Sequence, residues 1–369
     1  MKVNTISLNS VRLNTIALNH IGEIRSGGGA SKPSPIPQWI REHIVFYYDV
    51  KKQGATNETL KESAYLQDLS GKGRRMKLNN FLFAEMSGVG GYNDNFSNWR
   101  TDSNNGVVKI ESDSSIVIQS VKIEYRGALY QDSSKKATLK CNITGITEEL
   151  KGKLIFRYTD AEGGKNITLG NGYFEFNSSE YEGLSGWYGF TSKQPIDNCN
   201  ITITQIPEYP GALVTDGVDD YGLVENLSSG VKMLFMTVNP LVIHKCMYDQ
   251  RSNTASMFSV ANIKDRIAYV MNLENAELDK KGRIYIDGVR NTSTLSQELL
   301  NIKQVITACV DSIDSAKTPF FFNTTLNGAG WYSKLAFYNS IAFDSIPTEA
   351  DGFTEQELID YVIINIIGQ

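Results

Sequence analysis

Apolar and polar residues along this chain fall into short runs rich in β-branched and aromatic side chains. They are HIVFYYDV (43–50), SSIVIQSVKIEY (114–125), KATLKCNITGI (136–146), GKLIFRYT (152–159), NGYFEFN (171–177), CNITITQI (199–206), KMLFMTV (232–238), RIAYVMNL (266–273), GRIYIDGV (282–289) and SKLAFYNSIAF (333–343). Gly, Asn, Asp and Ser separate them. Alternation with a period of two, as in Leu154, Phe156 and Tyr158, marks strands with one buried face. Strands recurring at this spacing, with no helical pattern between them, predict antiparallel sandwiches and hence an all-β fold. One helix is predicted, at the C-terminal end. Thr354 caps it, Glu357 completes a capping box, and Leu358, Tyr361, Val362 and Ile363 follow as a helical apolar set.

The front of the chain follows a different rhythm. NTISLNSV (4–11) recurs ten positions later as NTIALNHI (14–21). Its apolar positions, Ile6, Leu8, Val11, Leu13, Ile16, Leu18 and Ile21, advance by steps of two and three, which fits neither a helix nor one long strand. Short extended pieces with a kink every five residues fit better. Such a segment is too small to bury its own apolar side chains, so residues 1–25 are expected to anchor on a partner or to oligomerise with copies of themselves. The alternative is a tail that merely repeats. Residues 26–38, with three consecutive glycines and three prolines, read as a linker, and the body begins near Trp39.

Length and charge narrow the function. A chain of 369 residues can hold two or three domains. Its net charge of -5 comes with no basic block, so nucleic acid is not an expected partner. No stretch approaches the ~20 continuous apolar residues of a membrane span, and the Asn- and Ser-studded start lacks a signal-peptide core. A chain made in the cytoplasm and not inserted in a membrane is expected. Cys141, Cys199, Cys246 and Cys309 form no close pair, and His20, His43 and His244 share no short spacing, so zinc, redox and His-triad chemistry have little to draw on.

The segment YYDVKKQGATNETLKESAYLQDLSGKGRRMKLNNF (47–81) resembles the opening of a laminin-G or concanavalin-A-like jelly roll: an aromatic-Asp strand at Tyr48 and Asp49, then a turn built on Asp68, Ser70, Gly71 and Gly73. The turn makes chemical sense by itself, because Asp and Ser side chains bond nearby amides and glycine permits positive φ. In that family a DGVDDYG element follows closely; here it stands at 216–222. GRIYIDGV then resembles the central hairpin and GWYSKLAFYNSIAF (330–343) the closing strand. The resemblance therefore implies a discontinuous jelly-roll sandwich at 39–85 and 209–369, split by an inserted carbohydrate-binding-like β-sandwich at 86–208. Insertion at a turn is tolerable because closure cost grows only logarithmically with loop length.

Asp216, Asp219 and Asp220 lie beside Gly217 and Gly222, and capping of backbone amides accounts for every residue type there. Relatives that bind calcium at the sandwich rim make that ion the alternative, although the loop lacks D-x-D-x-D-G spacing. No other cofactor is expected. Catalysis on this fold would need a pair of carboxylates. The glycosidase branch carries E-x-D-x-x-E on one strand, and the nearest approach, Glu277 and Asp279, is interrupted by Lys280, Lys281 and Gly282. A non-enzyme is therefore expected. Finally, sugars stack on flat rings, so Tyr92, Phe96 and Trp99 in GGYNDNFSNW and Trp187 and Tyr188 in SGWYGF are candidate glycan-binding residues, with core packing as the alternative. Trp331 reads as structural.

The phrases YYD, DLSG, LNNF and YPGALVTDGVDDY are similar to those of tail or fibre proteins of phages and prophages of gut Bacteroidetes. That resemblance implies a virion protein without an export signal. Its N-terminal arm would attach to other virion proteins, its lectin-like domains would meet host-surface glycan or neighbouring subunits, and it would assemble as a homo-oligomer such as a trimer. A glycan-cleaving hydrolase and a purely architectural virion protein are the alternatives.

Overall fold

The structure is a computed structural model that describes residues 34–368 apart from 123–126, 136–137, 225–226, 228–229, 243–244, 252–256, 264–265, 270–281, 291–299, 311–319 and 324–331. The arm positions Ile6, Leu8, Val11, Leu13, Ile16, Leu18 and Ile21 lie outside the described residues, as do Glu277, Asp279 and Trp331. The fold is all-β, with antiparallel sheets and a C-terminal helix. It divides into two compact units, one formed by residues up to Phe81 with those from Gly211 onward, the other by Leu82–Pro210. The boundaries expected from sequence were 86 and 208.

In the first unit, strand Leu335–Phe343 lies at the centre of a sheet. Along its whole length it pairs with Met233–Pro240. Its other edge is shared end to end by Ile44–Asp49 and Leu213–Val214. Beyond Met233–Pro240 come Gln304–Val310, Gly282–Ile286 and Val289–Arg290. The second sheet runs in the order Tyr65–Leu66, Met76–Asn79, Tyr221–Val224, Phe320–Phe322, Lys245–Arg251, Met257–Ile263 and Arg266–Tyr269. Tyr221–Val224 is hydrogen-bonded antiparallel to Met76–Asn79, with Tyr221 opposite Asn79 and Val224 opposite Met76. Gly222 leaves room for the buried Met76 side chain, which a Cβ there would meet at 2.5 Å from Sδ and displace.

Aromatic rings lock the two sheets face to face. Phe46 packs on Phe320 and Phe322 on Phe337, with centroids 5.3 and 4.8 Å apart. The Tyr248 hydroxyl, inside this layer, donates to Ser340 Oγ at 2.8 Å.

The opposite face of the first sheet is also covered. Helices Ile36–His43 and Glu355–Val362 bring Trp39, Ile40, Leu358, Ile359 and Val362 onto Tyr47, Phe235, Ile341 and Phe343. Burial on both faces explains why Ile44–Asp49 and Met233–Pro240 read as continuous apolar runs: every residue in each is buried. The C-terminal helix starts as expected, with the Thr354 side chain accepting from the Glu357 N–H in a capping box. Helix Ile36–His43 takes in the last three positions of the linker expected at 26–38, of which residues 26–33 lie outside the described residues. Its prolines sit at the helix start, where an N–H has no intrahelical partner and the fixed φ is already helical. A further helix, Asn57–Ser63, is capped by Thr56.

The second unit is a sandwich with its own core. One sheet runs Gly163–Thr168, Leu154–Asp160, Trp187–Ser192, Leu129–Asp132 and Arg100–Thr101; the other runs Gly172–Asn177, Thr138–Thr144, Ile201–Gln205, Ser115–Val121 and Gly106–Ser112. Phe156 lies between them, with Phe176, Phe174 and Phe190 at 4.7 to 5.1 Å from its ring. Among the described residues no helix is long and apolar enough to cross a membrane.

Candidate functional site

The acidic loop is built by backbone demand. Strand Leu213–Val214 ends at Thr215, whose hydroxyl donates to the Ser333 carbonyl at 2.7 Å. The chain must then turn to start Tyr221–Val224, and the turn leaves amides that no strand satisfies. Asp216 Oδ1 accepts from the Val218 and Asp219 N–H groups, at 2.7 and 3.4 Å. Asp220, fully buried, reaches back so that its Oδ2 accepts from the Asp216 N–H at 2.9 Å. Asn323 Nδ2 donates to the Asp220 carbonyl at 2.7 Å and ties the loop to strand Phe320–Phe322.

Asp216, Asp219 and Asp220 bring ligand atoms within 4.8 Å of one another. Two of the carboxylate oxygens already serve amides, and calcium, which takes six to eight oxygens, would need further ones from carbonyls or water. The arrangement is that of a turn clamp. Asp68 works in the same way at the front of the unit, where Oδ1 accepts from the Tyr47 and Ser70 N–H groups and Oδ2 from that of Arg74, at 3.0, 2.9 and 2.9 Å.

The five aromatic candidates all lie in the Leu82–Pro210 unit, and four of them are covered. Phe96 and Tyr188 have no exposed surface and Trp99 has 4 %. Trp99 packs edge-on against Phe96 and Tyr188, with centroids 5.7 Å away in each case. Trp187 is 6 % exposed, edge-on to Tyr130 with the Arg157 guanidinium 5.9 Å from its ring. A stacking sugar needs an open ring face, so Phe96, Trp99, Trp187 and Tyr188 are packing residues here. The Asn-rich stretch around Phe96 and Trp99 is turn and capping chemistry, with Asn95 Oδ1 accepting from the Ser97 N–H at 2.8 Å, and the turn directs these rings inward. Tyr92 alone remains half-exposed, lying over Gly90 at φ +87°.

Packing beside Trp99 perturbs a neighbour. The Asp94 carboxyl is pushed up to about 6 by burial, against partial relief from the Asn95 amide and the Trp99 indole. Sequence reasoning also passed over an exposed ring, Tyr173, at 64 % accessibility. Its signal was the parity of NGYFEFN: with Phe174 and Phe176 inward, Tyr173 and Glu175 must point out.

No family model and no curated protein matches the chain. Among solved structures it is similar to the N-terminal CBM22-1-CBM22-2 tandem domain from Paenibacillus barcinonensis Xyn10C, at 7 % identity over 68 % of this chain and 97 % of that one, with a TM-score of 0.20. A likeness of that size carries no argument about function.

Two measurements check these assignments. Asp220→Ala should cost about 1–3 kcal/mol in urea denaturation, the penalty of an unpaired buried amide, equally with calcium or with chelator. A loss seen only when calcium is present would make the loop a metal site. At Asp94 the folded state keeps its proton above the ordinary carboxyl value of 3.8, so this group's stabilisation is full below that pH and is lost as pH rises through about 6. Relative to Asp94→Asn, the wild type should lose on the order of 3 kcal/mol across that window. A difference that does not change with pH would contradict the assignment.

Proposed function

We propose that the protein is a phage virion component with a structural and adhesive role, in which residues 1–25 attach the chain to the particle and the sandwiches bind host-surface glycan or neighbouring subunits. The observation that supports this most is the nesting: a complete sandwich with an aromatic core of its own is set between two halves of another. A loop enlarged to a whole domain adds surface without adding a reaction, and loops held on a rigid scaffold are where recognition concentrates. The laminin-G-like and tail-protein resemblances of the YYD, DLSG and DGVDDYG phrases point the same way.

In this reading the clamp carboxylates Asp68, Asp216 and Asp220 serve the fold, and the work of the protein is binding and not bond cleavage. The experiment separates its two halves. Particles carrying a chain that lacks residues 1–25 should lose it from the virion, while the purified truncated chain still binds host cells. Retention in the particle would remove the anchoring role. Failure of the full-length chain to bind cells would remove the adhesive one.

A further inference from the structure

Tyr173 is held on an open sheet face in a setting suited to recognition. Its hydroxyl donates to Glu175 Oε2 at 2.5 Å, two residues along the same face, which fixes the ring. Beside it, Lys140 Nζ lies 2.6 Å from Glu208 Oε1, and Asn93 Nδ2 donates to the same oxygen at 2.6 Å. The ring and its polar neighbours are thus set before any ligand arrives, which lowers the entropy cost of binding.

Strand register extends this point into a line. Tyr173 is directly opposite Asn142, Asn142 opposite Thr204, Thr204 opposite Ser115 and Ser115 opposite Ser112. One residue from each of the sheet's five strands therefore stands in a row, and every member is polar apart from the face of the ring. Asn142 is exposed and Thr204, Ser115 and Ser112 are half-exposed. The Ser115 and Thr204 hydroxyls are 3.2 Å apart, which places them on one face. Neighbouring strands are separated by roughly 4.8 Å, a step comparable to one pyranose unit of an extended glycan. Hydroxyls and a carboxamide both donate and accept, as sugar hydroxyls do, and the ring supplies a surface for the apolar C–H face of a sugar.

Charge selects among sugars. Glu175 and Glu208 flank Lys140 at the Tyr173 end, and the Lys140 charge is already paired with Glu208, so an acidic sugar would meet repulsion there.

We propose that this face binds a neutral oligosaccharide laid across the strands, one sugar ring resting on Tyr173 and the following units hydrogen-bonded to Asn142, Thr204 and Ser115. The site rests on the adhesive reading above and gives it a location and a ligand class.

The test is native gel electrophoresis of the full-length chain in gels containing a neutral glucan, xylan, mannan or galactomannan, with polygalacturonate as the acidic contrast. At least one neutral polymer should retard the wild type and polygalacturonate should not. Tyr173→Ala should weaken retardation about tenfold, the size of one lost ring contact. Tyr173→Phe should keep most of it, and Asn142→Ala should weaken it less than Tyr173→Ala. Thermal melting checks that each variant is folded, which the exposure of both side chains favours. Retardation by none of the neutral polymers, or retardation unchanged in Tyr173→Ala, would overturn the site. Host-cell binding by the same proteins separates the two levels. Wild type and Tyr173→Ala binding equally would leave adhesion standing and remove this face, whereas no binding by the wild type would remove adhesion itself.

Discussion

The first unit closes through a pairing between strands that are far apart in sequence. Met76–Asn79 and Tyr221–Val224 exchange backbone hydrogen bonds although residues 80–220 intervene. Neither strand can be completed locally: each is four residues long, and two short strands alone are not stable in water. Their stability comes from the sheet they join and from the rings of Phe320 and Phe322 beneath it. Each doubling of the intervening length adds only ~0.6 kcal/mol to closure, so a whole sandwich can occupy the gap without unfolding its host.

The side chains that enforce this closure are polar. Asp68 holds the turn before Met76–Asn79, and Asp216 and Asp220 hold the turn before Tyr221–Val224, each through amides that the strands leave unsatisfied. Asn80 Nδ2, just past the end of Met76–Asn79, donates to the Asp219 carbonyl at 3.1 Å and ties that strand end to the acidic turn. Carboxylates with such partners carry out folding work.

What the sequence made legible follows from the strength of each local signal. Alternation placed strands at Ser115–Val121, Leu154–Asp160, Gly172–Asn177 and Ile201–Gln205, because one face of each meets the Phe156 core and the other is the more exposed, save at the buried Ile155. The capping box at Thr354 located the C-terminal helix. Helix Ile36–His43 was hidden by its own prolines, which break a helix interior but suit its first turn. The rings at Phe96, Trp99, Trp187 and Tyr188 were hidden by their Asn- and Gly-rich surroundings, which describe the path of the backbone and not the direction of a side chain. The row from Tyr173 to Ser112 was invisible for another reason: it is a property of register between five strands, and register depends on tertiary pairing.

The closing pairing can be tested directly by placing cysteines at Lys77 and Leu223, which are opposite each other in the register of these strands, in a background where Cys141, Cys199, Cys246 and Cys309 are serine. Mild oxidation should yield an intramolecular disulfide linking positions 77 and 223, identified by peptide mass. Absence of that link, with cysteines at Lys77 and Tyr65 cross-linking readily across the local pairing of their strands, would show that the two distant segments do not share a sheet.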